Sequence, residues 1–387
     1  MNDAFDLVVP CLFGLEGPLA EELRKMGAEN VRPMNGRVVF SGSPELLARA
    51  NLCCRFGERV QVRMASFPAR SFGELFEGVR ALPWERWIGR KDAFPVKGSC
   101  LSSQLASVPD CQSIVKKAVV ERLKAKYSLS WFEETEAPKQ IQFLILKDQA
   151  SVMIDTTGAG LHKRGYRANA AEAPIRETLA AAMAYFSHVR HDANFIDPFC
   201  GSGTLLIEAA LLARNAAPGV GRRFSAEKWD NVPASVWKAE RERARSLEKS
   251  DAPFFARGYD IDPAAVSLAE ENAAKAGVSG CVAVRRRDIA DFREEGEHGC
   301  VICNPPYGER LLDLRGAQEL YRTMGRVFPP RRGWSYSVIS PDDTFEACFG
   351  RKATRRRKLY NGMIRCQYYM YFKEQAEPAR TAGRITR

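Results

Sequence analysis

Several things are missing from this 387-residue chain, and each absence excludes a class of protein. No apolar run approaches the ~20 residues that a membrane-spanning helix needs. The first residues, Met1 to Asp6, lack the basic segment and apolar core of a signal peptide, so the expected compartment is the cytoplasm. A disulfide framework is not expected: the eleven cysteines are spread through a long chain and most lie in apolar, strand-like runs, where they read as reduced thiols. Cys300-Val301-Ile302-Cys303 has C-x-x-C spacing, but residues i and i+3 of a strand face opposite sides and no second Cys/His pair stands at zinc spacing, so no metal is expected. Histidine is scarce, at four residues, and His162 stands alone without a catalytic pattern around it.

What is present is ordinary globular composition, 45% hydrophobic and 27% charged, in a chain long enough for two or three domains. The net charge is +11, and it is unevenly placed: from Arg331 to the end there are 13 Lys/Arg against 5 Asp/Glu, a balance of +8. The densest cluster holds Arg351, Lys352, Arg355, Arg356, Arg357 and Lys358, which suggests a nucleic-acid partner over a merely solvated face.

The N-terminal third alternates short strands and helices. Strands are expected at 5–9, 36–40 and 59–64. Helices are expected over 15–26 and from Ser43, a cap followed by Pro44 at the first helical position. A second α+β unit spans about 66–155. It has a helix from Ser71, the Trp84/Trp87 pair as packing groups and a strand at 93–97. A basic-sided helix runs from an Asp110 cap to Tyr127, and two strands at 141–146 and 151–155 turn near Lys147-Asp148. The small-residue run 156–160 reads as a linker at a domain boundary. Lys163, Arg164 and Arg167 follow it, either for phosphate contact or as a solvated linker.

A helix opening at Ala173-Pro174 then leads into an α/β domain. Asn194 to Asp197 is a strand, Pro198-Phe199-Cys200-Gly201-Ser202-Gly203 a glycine turn, and Thr204 starts an apolar helix. The glycines let a ligand approach backbone, and the helix start favours an anionic group. The dinucleotide fingerprint fails, because the third glycine position is Leu206. Asp197 at the strand end suits a cationic amine instead. A carboxylate and an amine on one ligand match the methionine end of S-adenosylmethionine. A second acidic strand end, Asp260 followed by Ile261, suits ribose hydroxyls, with Asp262 capping the next helix. Asp288 and Ile289 end a third strand, where Asp288 can accept from an adenine amine. Asp260 lies 63 residues after Asp197, against roughly 20 in a compact motif, so 217–251 reads as an insertion with a helix near 236–249.

The fourth strand, 299–303, stops at Asn304-Pro305-Pro306-Tyr307-Gly308, since two prolines cannot continue a ladder. An amide oxygen, a carbonyl and a flat ring are presented together at a strand end, a receptor for a planar group bearing an NH2. A fifth strand follows at 334–340. Asn361-Gly362 then joins two strand-like runs, the signature of a hairpin, and the tail past 374 is polar.

Together these motifs resemble the class I S-adenosylmethionine-dependent methyltransferases that modify amines. Gly160-Leu161-His162-Lys163-Arg164-Gly165-Tyr166-Arg167, Ala173-Pro174-Ile175-Arg176-Glu177, Leu205-Leu206-Ile207-Glu208-Ala209-Ala210 and Pro306-Tyr307-Gly308-Glu309-Arg310-Leu311 extend the likeness. They resemble bacterial THUMP-containing RNA guanine-N2 methyltransferases, of the YpsC type and the N-terminal half of the RlmL type, which act on 23S ribosomal RNA. The resemblance implies a ferredoxin-like piece at 1–65, a THUMP RNA-binding domain at 66–156, a linker at 157–173, a Rossmann-like methyltransferase domain at 174–375 and a polar tail at 376–387. The domain would carry a mostly parallel seven-stranded sheet closed by an antiparallel hairpin.

By the same resemblance, Asp197, Pro198, Cys200, Gly201, Ser202, Gly203 and Thr204 would hold the methionine part, Asp260 and Ile261 the ribose, and Asp288 and Ile289 the adenine, with Asn304 also counted among the cofactor-binding residues. Asn304 and the Pro305 carbonyl would take the target amine, with Pro306 and Tyr307 completing the catalytic box. Other readings are a tRNA guanine-N2 or DNA amino-methyltransferase, or a noncatalytic RNA-binding assembly factor. A protein-glutamine methyltransferase fits the box but not the basic hairpin.

Overall fold

A computed structural model describes residues 4–167, 175–192, 194–294, 296–307 and 314–372. The chain divides into two compact units, one of residues up to 165 together with 216–248, the other of 166–215 and 249 onward.

The first unit runs β1 (Phe5–Pro10), α1 (Glu16–Lys25), β2 (Glu29–Met34), β3 (Arg37–Gly42), α2 (Pro44–Cys53), β4 (Gln61–Pro68), α3 (Phe72–Arg80), β5 (Val96–Leu101), α4 (Val108–Tyr127), β6 (Ile141–Leu146) and β7 (Gln149–Asp155). Its seven strands form one sheet, ordered β2-β3-β1-β4-β7-β6-β5. β4 is the joint between the two pieces read from sequence: Gln61 and Val62 pair with Val8 and Leu7 on one side and with Asp155 and Ile154 on the other.

Local chemistry explains the element starts. Ser43 and Ser71 cap α2 and α3 by accepting from Leu46 N (3.4 Å) and Glu74 N (3.2 Å). α4 is capped by Ser107 rather than Asp110, because Pro109 has no N–H to lose and fits the first turn. The strand expected at 93–97 begins only at Val96, after Pro95. β2, not anticipated, is an exposed edge strand containing Pro33. Lys147 (φ 51°) and Asp148 (φ 59°) make the β6–β7 turn with both central residues left-handed, a type I′ geometry. Trp84 is fully buried and Trp87 nearly so, as packing groups.

One stretch behaves differently from its sequence reading. Thr156 and Thr157 are buried, not linker-like: Thr156 Oγ1 donates to Val60 O (2.7 Å), and Asn51 bonds both hydroxyls, at 2.9 and 2.7 Å. Small residues were the only linker signal, and here they allow close packing.

The second unit opens with α5 (Glu177–Phe186), β8 (Asn194–Asp197) and α6 (Thr204–Ala213). Ala173 and Pro174, the expected helix start, lie outside the described residues. The chain then leaves for 216–248, the expected insertion, which carries α7 (Ala234–Ser246) and packs within the first unit. Gly219 N donates to Leu52 O (2.8 Å), Asn231 to Arg86 O (2.9 Å), and Arg49 pairs with Glu240 at 2.6 Å. Trp229 meets Trp87 edge-on at 6.4 Å. Trp229, one of the tryptophans that stand out in this segment of the sequence, is therefore one of its anchors, while Trp237 stacks on Phe224 within the segment.

Back in the second unit come β9 (Phe255–Asp260), α8 (Pro263–Lys275), β10 (Val282–Arg286), β11 (Gly299–Cys303), α9 (Leu314–Val327), β12 (Trp334–Ser340), α10 (Phe345–Phe349), β13 (Arg355–Asn361) and β14 (Ile364–Tyr371). The sheet order is β10-β9-β8-β11-β12-β14-β13. Five strands are parallel, β14 pairs antiparallel with β12, and β13 pairs antiparallel with β14. Asn361 pairs with Ile364, so the central turn residues are Gly362 and Met363 and not Asn361-Gly362. Only Gly362 has positive φ (62°), the pattern of a type II′ hairpin turn. No described helix is long and apolar enough to cross a membrane.

Candidate active site

From β8 the chain steps outward through β9 and β10, then returns to place β11 on the other side of β8. The sheet order reverses there, and in open α/β sheets that reversal is where ligands bind, at the strands' carboxyl ends. Asp197 ends β8 and Asn304 follows β11, on strands paired through Phe195–Cys300 and Ile196–Val301.

The glycine turn is wired by backbone. Cys200 N donates to Tyr259 O (2.9 Å) and Gly203 N to Cys200 O (2.7 Å). Gly201 (φ 49°) and Gly203 (φ 78°) are left-handed, and a Cβ on Gly201 would meet nothing within 4 Å, so open space fronts the loop. A Cβ on Gly203 would lie 3.1 Å from that of Ala269. The sequence offers no clue to Asn272, a buried residue of α8 that fixes the loop by donating to Ser202 O (2.9 Å). Leu206, which broke the dinucleotide pattern, has its glycine on the opposing strand: a Cβ on Gly258 would stand 2.4 Å from Leu206 Cδ1.

Asp197 is buried, and its Oδ1 accepts from Phe199 N (3.1 Å). Burial, and less so the Asp260 charge, push its carboxyl up to about 8. No cation among the described residues pairs with it. Asp260 accepts from Gly201 N (2.9 Å) and Asp262 N (3.0 Å), so its carboxylate ties the β9 end to the glycine turn. Asp262 caps α8 through Ala264 N (2.9 Å). Ile261 is exposed beside Asp260. Asp288 is exposed and caps the short turn Ile289–Asp291, accepting from Ala290 N at 2.8 Å.

Asn304 holds a buried acceptor: among the described residues its Oδ1 has no hydrogen-bond partner, as is also true of Asn272 Oδ1 beneath the glycine turn. Such an acceptor costs about 1–3 kcal/mol unless something donates to it. Pro305 is buried beside it, and Pro306 and Tyr307 are half-buried. Tyr307 Oη accepts from Asn361 Nδ2 (2.8 Å) and lies 3.9 Å from Cys366 Sγ.

The basic residues sort into two groups. Arg164 is buried and donates to the carbonyls of Leu161 (2.8 Å) and Arg55 (2.7 Å). Arg167 pairs with Glu177 (2.8 Å) and reaches Thr204 Oγ1 (3.3 Å). Arg351 lies over the rings of Tyr371 (4.8 Å), Phe349 (5.1 Å) and Tyr336 (5.4 Å). Arg356 pairs with Glu346, and Arg357 covers Phe186 at 4.1 Å. Lys163, Lys352, Arg355 and Lys358 are exposed. A run of cations in sequence cannot separate these groups, because the separation depends on neighbouring rings and carboxylates.

Fold and strand-end carboxylates define a class I S-adenosylmethionine-dependent methyltransferase, with the reversed sheet order and closing hairpin of that class. The open loop front and the buried Asp197, which no cation among the described residues pairs with, fit an amino-acid-bearing cofactor. Residues 164–370 match the model of the RMKL-like methyltransferase domain, and the chain belongs to that family. Residues 6–61 match the RlmL ferredoxin-like domain and 69–155 the THUMP domain. The chain is 42% identical, over 96% of both sequences, to a Bacillus subtilis protein called "Putative RNA methyltransferase YpsC". It is 33% identical to the Psychromonas ingrahamii ribosomal RNA large subunit methyltransferase K/L, across 96% of this chain but only 50% of that one. Among solved structures, a Listeria monocytogenes protein described as a "predicted N6-adenine-specific DNA methylase" superposes with TM-score 0.91 at 43% identity, covering 96% and 97% of the two chains. SMU.472, a "putative methyltransferase complexed with SAH", gives 0.91 at 39% identity, covering 97% and 100%.

Proposed function

We propose that the chain methylates the exocyclic N2 amine of a guanine in RNA, with large-subunit ribosomal RNA as the substrate and the cytoplasm as its place. The observation that carries this reading is the buried Asn304 oxygen at the end of β11, an acceptor without a donor among the described residues. A planar amine supplies that donor.

When bound, S-adenosylmethionine supplies an electrophilic sulfonium methyl. Asp197 and residues 201–203 would hold its amino-acid end, Asp260 its ribose, and Asp288 with Ile289 its adenine edge. Asn304 Oδ1 and the Pro305 carbonyl accept the two hydrogens of the target amine, and the Tyr307 ring stacks on the base. Holding both hydrogens draws the nitrogen lone pair out of conjugation and fixes its direction, so positioning does most of the work. The amine's proton leaves afterwards, and no side chain is required as a strong base.

RNA is favoured by the THUMP match and by the RNA named for the B. subtilis and K/L relatives. Guanine N2 is favoured by the resemblance of the motifs read from sequence. A second reading, an adenine amine in DNA, has the L. monocytogenes description behind it, and the Asn304–Tyr307 box suits any planar amine.

Nucleoside mass spectrometry of ribosomal RNA, transfer RNA and DNA from a deletion strain separates these outcomes. Loss of one N2-methylguanosine from 23S RNA is expected. Loss from tRNA would move the substrate, and loss of N6-methyladenine from DNA would establish the second reading. No loss, with cofactor binding intact, would make the chain an RNA-binding assembly factor.

A further inference from the structure

We propose that Asn361, at the turn end of β13, is a positioning residue that sets the plane of the Tyr307 ring and thereby couples the basic hairpin to the methyl-accepting box. This rests on the stacking role given to Tyr307 above.

The hairpin grips the far end of that ring from two strands. Asn361 Nδ2 donates to Tyr307 Oη at 2.8 Å, and Cys366 Sγ on β14 lies 3.9 Å from the same oxygen. The register explains the convergence. Cys366 pairs with Leu359, and Leu359 and Asn361 are two apart on one strand, so Asn361 and Cys366 face the same side of the hairpin. Tyr307 follows two prolines, and the strand ladder ends at Cys303. The ring therefore leaves the sheet on a short, stiff segment with no ladder of its own, and its orientation depends on what holds the hydroxyl.

The tight type II′ turn, with Gly362 at φ 62°, fixes where Asn361 stands. On the same hairpin, Arg355 and Lys358 are exposed, and Met363 is 97% exposed at the tip. An RNA strand lying on the outer side of β13 would thus press on the element that orients the stacking ring. Ring orientation is a property of the reactive complex. Its loss should lower turnover more than it lowers RNA or cofactor affinity.

The experiment uses the full chain with labelled S-adenosylmethionine and 23S RNA from the deletion strain. Asn361→Ala and Tyr307→Phe should each lower kcat by about ten- to a hundredfold, the scale of a misplaced reacting group. Cofactor affinity, read by calorimetry, and RNA affinity, read by gel shift, should be unchanged. The double variant should lose no more than either single one, because both remove the same bond. Wild-type kcat in Tyr307→Phe, or losses that multiply in the double variant, would overturn the proposal. Tyr307→Phe leaves the hairpin sequence intact, so it decides the matter even where Asn361→Ala fails to fold. Tyr307→Ala separates the two layers of argument. If it turns over normally, the stacking role itself fails; if it is inactive while Asn361→Ala and Tyr307→Phe are normal, only the positioning role fails.

Discussion

The carboxyl ends of β8 and β9 and the carboxyl end of β11 lie side by side in one sheet, yet they are built on opposite plans. On the first side the glycine turn is tied to β9 by Cys200 N–Tyr259 O and by Gly201 N–Asp260, and to α8 by Asn272. The backbone of the turn is bonded on both sides, although Asn272 Oδ1 and the Asp197 carboxyl keep unused capacity. On the second side Asn304 presents an oxygen that no described residue satisfies, and Tyr307 is steadied by a hairpin more than fifty residues away in sequence. One side is a socket tied together by its own backbone bonds, whereas the other has a buried acceptor that, in the reading proposed above, the substrate amine would satisfy. A cofactor used in every turnover suits the socket. Selection of one amine suits the side that stays incomplete without it.

The largest break in that comparison should come from Asn304→Ala. Methyl transfer should fall by at least about 10²–10³, the usual loss when one preorganised polar partner of the reacting group is removed. Cofactor affinity should stay nearly constant, since the socket is bonded without Asn304. Stopped-flow or single-turnover transfer together with calorimetry would check both halves. A parallel loss of cofactor binding would mean that the two sides are one site energetically.

A smaller effect concerns the cations. Replacing Lys352, Arg355 and Lys358 together by Gln should flatten the salt dependence of RNA binding by about 2 in log–log slope, at about 0.7 per single-strand phosphate contact. Arg356→Gln should leave the slope unchanged, because that guanidinium already serves Glu346. Gel shifts at several salt concentrations read both, and equal slopes in all variants would return the whole cluster to a solvated face.

How far the sequence alone reached follows the same division. The glycine turn, the acidic strand ends and the Pro-Pro stop are local signals, set by φ angles and missing N–H groups within a few residues. They were legible, as were the Ser43 cap and the helix start at Ser71. Asn272, Asn361 and the sorting of Arg351, Arg356 and Arg357 depend on partners brought together by the sheet order, and no local pattern encodes them. The 216–248 segment is intermediate: its excess length showed in the spacing of Asp197 and Asp260, but Arg49–Glu240 and Trp87–Trp229 decided the unit it joins. Thr156 and Thr157 misled because small residues serve close packing as well as flexibility.

The finest test of the socket is its proton. Asp197, pushed up to about 8 by burial, holds its proton at pH 6.5 in the ligand-free chain. Pairing with the cofactor's ammonium requires the ionised form, so binding at pH 6.5 should release close to one proton. Affinity should then rise by up to roughly tenfold per pH unit and level off near pH 8. The ligand-free chain follows the opposite sign. A raised pKa gives stability that is full below the ordinary carboxylate value of about 4 and is lost as pH rises through about 8. The thermal shift on adding cofactor should therefore widen between pH 6 and 8. Calorimetry in two buffers of different ionisation enthalpy counts the protons directly. A count near zero at pH 6.5 would show that the ammonium pairs elsewhere, and would leave Asp197 as a buried neutral acid whose bond to Phe199 N only shapes the turn.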